Sequence, residues 1–368
     1  MKVCFICNQI AAWGKIGGFG TNTRRLARGL AQEGVDVHVV VPRRSGQNRV
    51  EQLDGMTVHG QSNWEVFFGK QLYREIDADI YHGEEPTIGI YNAQRAMPDR
   101  VHLVTSMDPR GVKEWWMHFW YATWRRQLVF PFQFCYENGP LVRMAVRRAD
   151  GVYAEAEYLR AMAQRVFRLK ELPGLLPKPV NVPDGPFDKA EKPTCVFVGR
   201  FDPIKQPNQF FELAARMPDV QFIAIGRAHD PQYQAMLERK YFHLPNLELP
   251  GFIDSFRDER FPELLSRAWI LVLPSAKEAF PTAIQEASSH ECAILAYVNP
   301  FDYVARFGAT ADPRVGIESL EANLRGMIDS NNWREKGQAG RQWNLENHSI
   351  PVSVRKHLKV YREKLGDP

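Results

Sequence analysis

Glu278 and Glu286 are two carboxylates whose spacing suits a ligand rich in hydroxyls. The apolar run Trp269-Ile270-Leu271-Val272-Leu273 reads as a buried strand, Pro274-Ser275 stops it, and a helical pattern starts near Pro281-Thr282. Glu278 therefore falls in the loop before a helix and Glu286 inside it. They are separated by about five helical residues, roughly 7 Å along the axis, a spread that fits a ligand with hydroxyls at both ends. Between them lie the unpaired N–H groups of a helix start, which favour negative charge such as phosphate. Pro281 at the first helical position is compatible with that start, because no donor is needed there.

A second constellation lies upstream. Cys195-Val196-Phe197-Val198 reads as a strand that exits into Gly199-Arg200-Phe201-Asp202-Pro203-Ile204-Lys205. A planar guanidinium and an ammonium at the C-terminal edge of a parallel sheet can neutralise a diphosphate leaving group. Taken alone, both cations are ordinary solvated loop charges.

Glu-x7-Glu after a strand and Pro-Ser, followed by Ala287-Ser288 and the apolar strand Ala293-Ile294-Leu295-Ala296, resembles the donor-binding signature of family 4 retaining glycosyltransferases. Gly199-Arg200 with Lys205 resembles that family's second signature. The resemblance implies a GT-B fold: two doubly wound, Rossmann-like α/β domains facing across a cleft. It implies that Glu278 contacts hydroxyls of the transferred sugar and Glu286 the ribose, and that Arg200 and Lys205 face the phosphates. Amides near Ala279, Phe280 and Thr282 would help on the donor, and Gly251-Phe252-Ile253 matches the segment flanking the nucleotide base. The implied activity is transfer of a hexosyl group, with retention and without a metal or other cofactor, from a UDP-, GDP- or ADP-linked sugar to a glycan, a small molecule or a lipid-linked acceptor. The chain departs from the pattern at three places. Met107 stands where a histidine is usual, which leaves Asp108 as the nearest ionisable group on the acceptor side. Pro281 replaces a glycine and offers no N–H. Glu291 also replaces a glycine, so a different helix exit is expected.

The elements that must position these groups run in order. Residues 3–6, 23–31 and 37–41 read as strand, helix and strand, with Gly34 as helix stop. The loop between the first two holds Gly14, Gly17, Gly18 and Gly20, which allow close approach of backbone to a ligand. A dinucleotide fingerprint needs a tight turn, whereas about ten residues separate this strand from Gly18. The resemblance implies instead that Gly17 and Gly18 reach toward donor phosphates and acceptor. Residues 79–84 and 101–105 read as further strands. Asp77-Ala78-Asp79 has the form of a metal motif but precedes a strand, so it reads as a helix end. Cys4 and Cys7, three apart on a strand, point to opposite faces and read as buried small hydrophobes.

Residues 113–136 are aromatic, with Trp116, Trp120 and Trp124 on one helical face and Arg125 and Arg126 just beyond. Core packing, a lid over the acceptor, and a helix on a membrane surface are the three readings. Proline and glycine within 131–140 should end that helix before a second over 141–148. Prolines and glycines over 172–187 mark a joint. The expected layout is an acceptor-side domain over 1–175, a nucleotide-sugar domain over 190–345, and a helix over 346–368 returning to the first.

Length and composition agree with this layout. A chain of 368 residues is long for one core. With 44% hydrophobic and 24% charged residues it has a globular composition. No apolar run reaches the ~18 residues of a membrane span, and the first residues read as a strand and not as a signal peptide. A cytoplasmic protein is expected, with the inner face of a membrane as a second station. A net charge of +4 suits anionic substrates or an acidic membrane, and nucleic acid is not an expected partner. A non-catalytic nucleotide-sugar-binding subunit and a nicotinamide-dependent oxidoreductase are the competing functions.

Overall fold

A computed structural model describes residues 1–13, 17–121 and 124–366, the side chains of 124–126 and 301 excepted. Gly14 and the side chains of Trp124, Arg125 and Arg126, named above, lie outside them. The chain forms two compact units, Met1–Pro179 with Ile350–Pro368, and Val180–Ser349.

The first unit holds eight strands: β1 (Lys2–Ile6), β2 (Asp36–Pro42), β3 (Val50–Leu53), β4 (Met56–Gln61), β5 (Ile80–Gly83), β6 (Val101–Ser106), β7 (Gly151–Ala154) and β8 (Gly174–Leu175). Their order is β3-β4-β2-β1-β5-β6-β7-β8. Every pairing is parallel except the β3–β4 hairpin. Residues of β1 alternate between two cores, as the two-residue period of a strand requires. Val3, Phe5 and Cys7 pack with Leu26, Leu30, Val354 and Tyr361, whereas Cys4 and Ile6 pack with Tyr73, Tyr81 and Ala93. Burial pushes both thiols up, which keeps them unreactive.

The second unit has six parallel strands: β9 (Thr194–Val198), β10 (Gln221–Ile225), β11 (Leu247–Gly251), β12 (Ile270–Leu273), β13 (Ala293–Ala296) and β14 (Gly308–Thr310). The order is β11-β10-β9-β12-β13-β14. All residues of β12 and β13 are buried, which is why they read as unbroken apolar runs.

The helix Ile350–Leu365 belongs to the first unit, where Val354 and Tyr361 are buried. It lies against the helix Gly18–Gln32 at Gly29, where an added Cβ would come within 2.6 Å of Val354 Cγ2. Beneath it His82 Nδ1 meets the Tyr361 hydroxyl and His82 Nε2 the Thr105 hydroxyl, each at 2.8 Å. His357 Nδ1–H donates to the Ser353 carbonyl at 2.8 Å. Burial holds both imidazoles neutral, and it lowers His357 to about 4. The folded pKa lies below the unfolded one, so the unfolded chain takes the proton first. His357 therefore contributes fully above about pH 6.5, and its contribution is lost as pH falls toward 4, a loss of ~3 kcal/mol. Urea midpoints at pH 7 and pH 4.5 should show a smaller acid loss in His357→Gln than in the parent. An equal loss would show that the acid sensitivity lies elsewhere.

Several boundaries differ from expectation. The helix Gly18–Gln32 begins before residue 23, so Gly18 and Gly20 are in its first turn and Gly17 is its extended N-cap. The cause is tertiary: Gly20 packs on the Ile10-Ala11 backbone, where a Cβ would sit 3.0 Å from both Ile10 C and Ala11 N. The β3–β4 hairpin is unanticipated. Asp54-Gly55, both at positive φ, is the turn signal for it. Pro131 does not end its helix, which runs Trp124–Asn138. The proline is exposed, so water can reach the carbonyl it leaves unpaired.

Candidate functional site

In the second unit the strand order reverses between β9 and β12, which are neighbours although the segments between them build β10 and β11 to one side. Such a reversal leaves a crevice at the carboxyl ends of the two strands. The loops leaving them are tied together by Ala276 N–H donating to the Ile204 carbonyl at 2.9 Å. That tie places Lys205 against Glu278, whose carboxylate accepts from the lysine ammonium. The Glu278 side chain is 8% exposed.

Arg200 leaves the same strand exit and is exposed, with its guanidinium on Asp202 at 3.1 Å. Glu286 is buried in the helix Thr282–Ser289, where its carbonyl accepts from His290 Nδ1 at 2.8 Å. Lys205 and Glu278 are thus brought together, while Arg200 is held by Asp202.

Pro281 is the N-cap in extended conformation and not the first helical residue. Its missing N–H is not one that the helix itself would use, so the amides of Thr282 and Ala283 still begin the helix. The Phe280 ring packs edge-on against Tyr303 and His348, and Ala279 beside it is half-buried. Glu291 stands at the helix exit. It takes φ 58°, the left-handed conformation that glycine adopts most easily, and its N–H bonds the Ser288 carbonyl. Since a non-glycine residue there costs roughly 1 kcal/mol, Glu291→Gly should raise the thermal midpoint slightly; a lowered midpoint would show that the side chain is needed.

Glycines close the exits of β9, β10 and β11. Gly199 N–H donates to Ile225 O at 3.0 Å, and Gly226 N–H to Gly251 O at 2.9 Å. An added Cβ on Gly226 would lie 1.9 Å from the Gly199 oxygen. Beyond β11 the Phe252 ring is 44% exposed with the Arg227 guanidinium 5.6 Å from its centroid, while Ile253 is buried.

In the first unit the order reverses between β1 and β5. Gly17 and Gly18 start the helix that follows β1, while Glu84 and Glu85 leave β5. The Asp108 carboxylate at the β6 exit accepts from Arg110 Nε at 2.8 Å, and Arg110 also reaches Glu137 at 3.0 Å. Met107, at the position where a histidine was expected, is buried. Glu155, after β7, accepts from Lys178 Nζ at 3.4 Å, with both side chains buried.

These carboxyls are heavily perturbed. Burial, then the neighbouring Glu155, raises Glu84 to about 8. Burial raises Glu155 to about 7 against the opposing pull of Lys178, and burial also pushes Glu85 well up. Sequence reasoning missed Glu84, Glu85, Glu155 and Arg110 as members of one site. Their common signal is position, each standing just past the end of a parallel strand.

Asp77 and Asp79 are used structurally. Asp77 accepts from Arg100 at 2.7 Å, and Asp79 from the Lys2 backbone N–H at 2.7 Å. Among the described residues no group of three or more His, Cys, Asp or Glu is placed to hold a metal ion.

Comparisons with known proteins bear on the family and the fold. Residues 184–305 match the family model described as "Glycosyl transferases group 1", and residues 16–182 that of "Glycosyltransferase Family 4". Among solved structures, sucrose-phosphate synthase from Thermosynechococcus elongatus superposes with TM-score 0.75 at 16% identity, covering 99% of both chains. HepE of Anabaena, in complex with UDP-glucose, gives TM-score 0.72 at 13% identity over 99% of this chain and 100% of that one. WaaG, a glycosyltransferase of lipopolysaccharide biosynthesis, gives 0.69 at 15% over 98% and 99%. The fold is GT-B, with two Rossmann-like domains. A search of curated protein sequences gave no match.

Proposed function

Because the chain belongs to the family 4 glycosyltransferases, we propose that it moves a hexosyl group from a nucleotide diphosphate sugar to an acceptor hydroxyl, with retention and without a metal. The observation that carries this is the shared edge of β9 and β12, where Lys205 and Glu278 already touch. In the proposed complex the donor diphosphate draws the Lys205 ammonium and the Arg200 guanidinium toward the departing charge, and Glu278 is freed to accept from sugar hydroxyls. Gly199 lets the backbone come close to the phosphates, and the amides of Ala279, Phe280 and Thr282 add neutral donors. Glu286 accepts from the ribose. The exposed Phe252 ring, with Ile253 behind it, flanks the base.

We assign Gly17, Gly18 and Asp108 to the acceptor side, with a glycan, a small molecule or a lipid-linked saccharide as acceptor class. A donor phosphate oxygen takes the acceptor proton in this scheme. HepE was solved with UDP-glucose, which makes UDP-sugars the first arm of a test.

A thermal-shift panel of UDP-, GDP- and ADP-sugars should give one base with clear stabilisation, about 2.7 kcal/mol at a hundredfold excess over Kd. Glu286→Gln should weaken that ligand about 10- to 100-fold, as loss of a charged hydrogen bond does. No shift with any base, or unchanged affinity in Glu286→Gln, would overturn the donor assignment. Binding without hydrolysis or transfer to any acceptor would favour the non-catalytic subunit.

A further inference from the structure

The exits of β10 and β11 place a donor that lacks an acceptor beside an open ring. Arg227 stands two residues past Ile225 and Phe252 one past Gly251, and Ile225 and Gly251 are paired in register. The backbone is fixed at both exits. The Arg227 carbonyl accepts from Phe201 N–H at 3.0 Å, Ala228 N–H donates to Gln234 Oε1 at 2.8 Å, and the Gly251 carbonyl accepts from Gly226 N–H at 2.9 Å. Both side chains are exposed, with the guanidinium 5.6 Å from the ring centroid, near the outer limit of a cation–π contact. The backbone thus sets where the guanidinium starts, and the weak ring contact leaves it free to turn.

The strand order is β11-β10-β9. Adjacent strands lie about 4.8 Å apart, so the two exits stand roughly 5 and 10 Å along the sheet edge from β9, which carries Arg200. A nucleoside whose diphosphate lies at the β9–β12 crevice spans that distance.

The carboxylates of these loops are engaged elsewhere. Asp202 holds Arg200 at 3.1 Å, Asp230 accepts from the amides of Gln232 and Tyr233 at 2.8 and 3.2 Å, and Asp254 accepts from Phe256 N–H at 3.0 Å. Among the described residues the Arg227 guanidinium has no hydrogen bond or ion pair. It presents N–H donors and no acceptor. A base stacked on Phe252 therefore meets, at its edge, a group that only donates.

That edge distinguishes the bases. Uracil offers O4, and guanine offers O6 with N7, the bidentate partner of arginine. Adenine sets the N6 amino group, a donor, beside N7, and two donors oppose each other.

We propose that Arg227 selects the base, favouring the keto bases uracil and guanine over adenine by donating to their exocyclic oxygen. The inference rests on the donor reading above, in which Phe252 flanks the base, and deepens it. Arg227 determines specificity and takes no part in the transfer step.

The full chain is titrated calorimetrically with UDP, GDP and ADP, which lack the sugar and so leave transfer aside. UDP or GDP should bind about tenfold or more tighter than ADP, the discrimination of one well-placed base contact. The UDP and GDP arms tell the two keto bases apart. Arg227→Gln replaces the donor-only fork by an amide that can pair with adenine N6 and N7. It should shrink the preference severalfold, with ADP affinity unchanged or raised. Arg227→Lys keeps the charge and loses the fork, so it should lose part of the preference while ADP affinity holds. The position is exposed, and thermal midpoints verify that both variants are folded. An equal loss of all three nucleotides in Arg227→Gln would make Arg227 a phosphate contact and overturn the inference while the donor reading stands, and so would an unchanged preference. A parent that binds ADP as tightly as the other two overturns it as well. A parent that binds none of them overturns the donor reading together with it.

Discussion

Lys205→Ala and Arg200→Ala should each lower transfer by about 100- to 1,000-fold, the range for removing one preorganised donor from a developing negative charge. The loss should appear in kcat with a soluble acceptor at saturating donor. Lys205 carries the further consequence that its partner Glu278 is almost fully enclosed. Without the ammonium, that carboxylate should oppose the donor phosphates with no counter-charge, and donor affinity should fall as well. Lys205→Ala should therefore raise the donor Kd more than Arg200→Ala does, since Arg200 is the more exposed of the two and carries its own partner, Asp202. Glu278→Gln combined with Lys205→Ala should recover part of the binding and none of the rate. Near-parental kcat in both single variants would remove these cations from the mechanism.

The legible parts of the site are those that parallel-sheet burial writes into sequence. Val196-Phe197-Val198 and Leu271-Val272-Leu273 are unbroken apolar runs because both faces of β9 and β12 are covered, and a Gly or Pro at each exit marks where the loops begin. That these two strands are neighbours is not local information, because the intervening chain forms two other strands first. The Lys205–Glu278 contact depends on that pairing and on the Ala276–Ile204 hydrogen bond, so periodicity could bring each residue to a sheet edge but not to the other.

Glu84 and Glu155 show the opposite failure. Their residue type suggests solvent, and nothing local announces burial deep enough to raise them to about 8 and about 7. The β3–β4 hairpin escaped because β3 is half exposed and half polar, and β4, though buried, mixes Thr57, His59 and Gln61 with its apolar residues, although Asp54-Gly55 carried the turn. Glu291 takes a left-handed φ that its residue type does not announce.

Gly226→Ala is the substitution with the largest expected effect on the fold. The new Cβ falls 1.9 Å from the Gly199 oxygen, far inside contact distance, so either the β10 exit or the β9 exit must move by roughly 1 Å or more. If neither moves freely, the second unit loses more than about 4 kcal/mol, the range reserved for overpacked backbone. If the β9 exit yields, Gly199 and Arg200 move with it, and a 1 Å displacement at a site of this kind costs transfer about 100-fold. Two other glycines separate steric from conformational causes. Gly251, at φ 77° with nothing within 4 Å, should lose only about 1–2 kcal/mol as alanine through its left-handed backbone. Gly326, in the helix Ile317–Asp329 with the same free space, should gain about 0.5–1 kcal/mol. Unfolding midpoints that rank Gly326→Ala above the parent, and the parent above Gly251→Ala and Gly226→Ala in turn, would locate the constraint at the β9–β10 contact. A Gly226→Ala protein with parental midpoint and parental transfer would show that the two strand exits are free to separate, and with them the support proposed for Arg200.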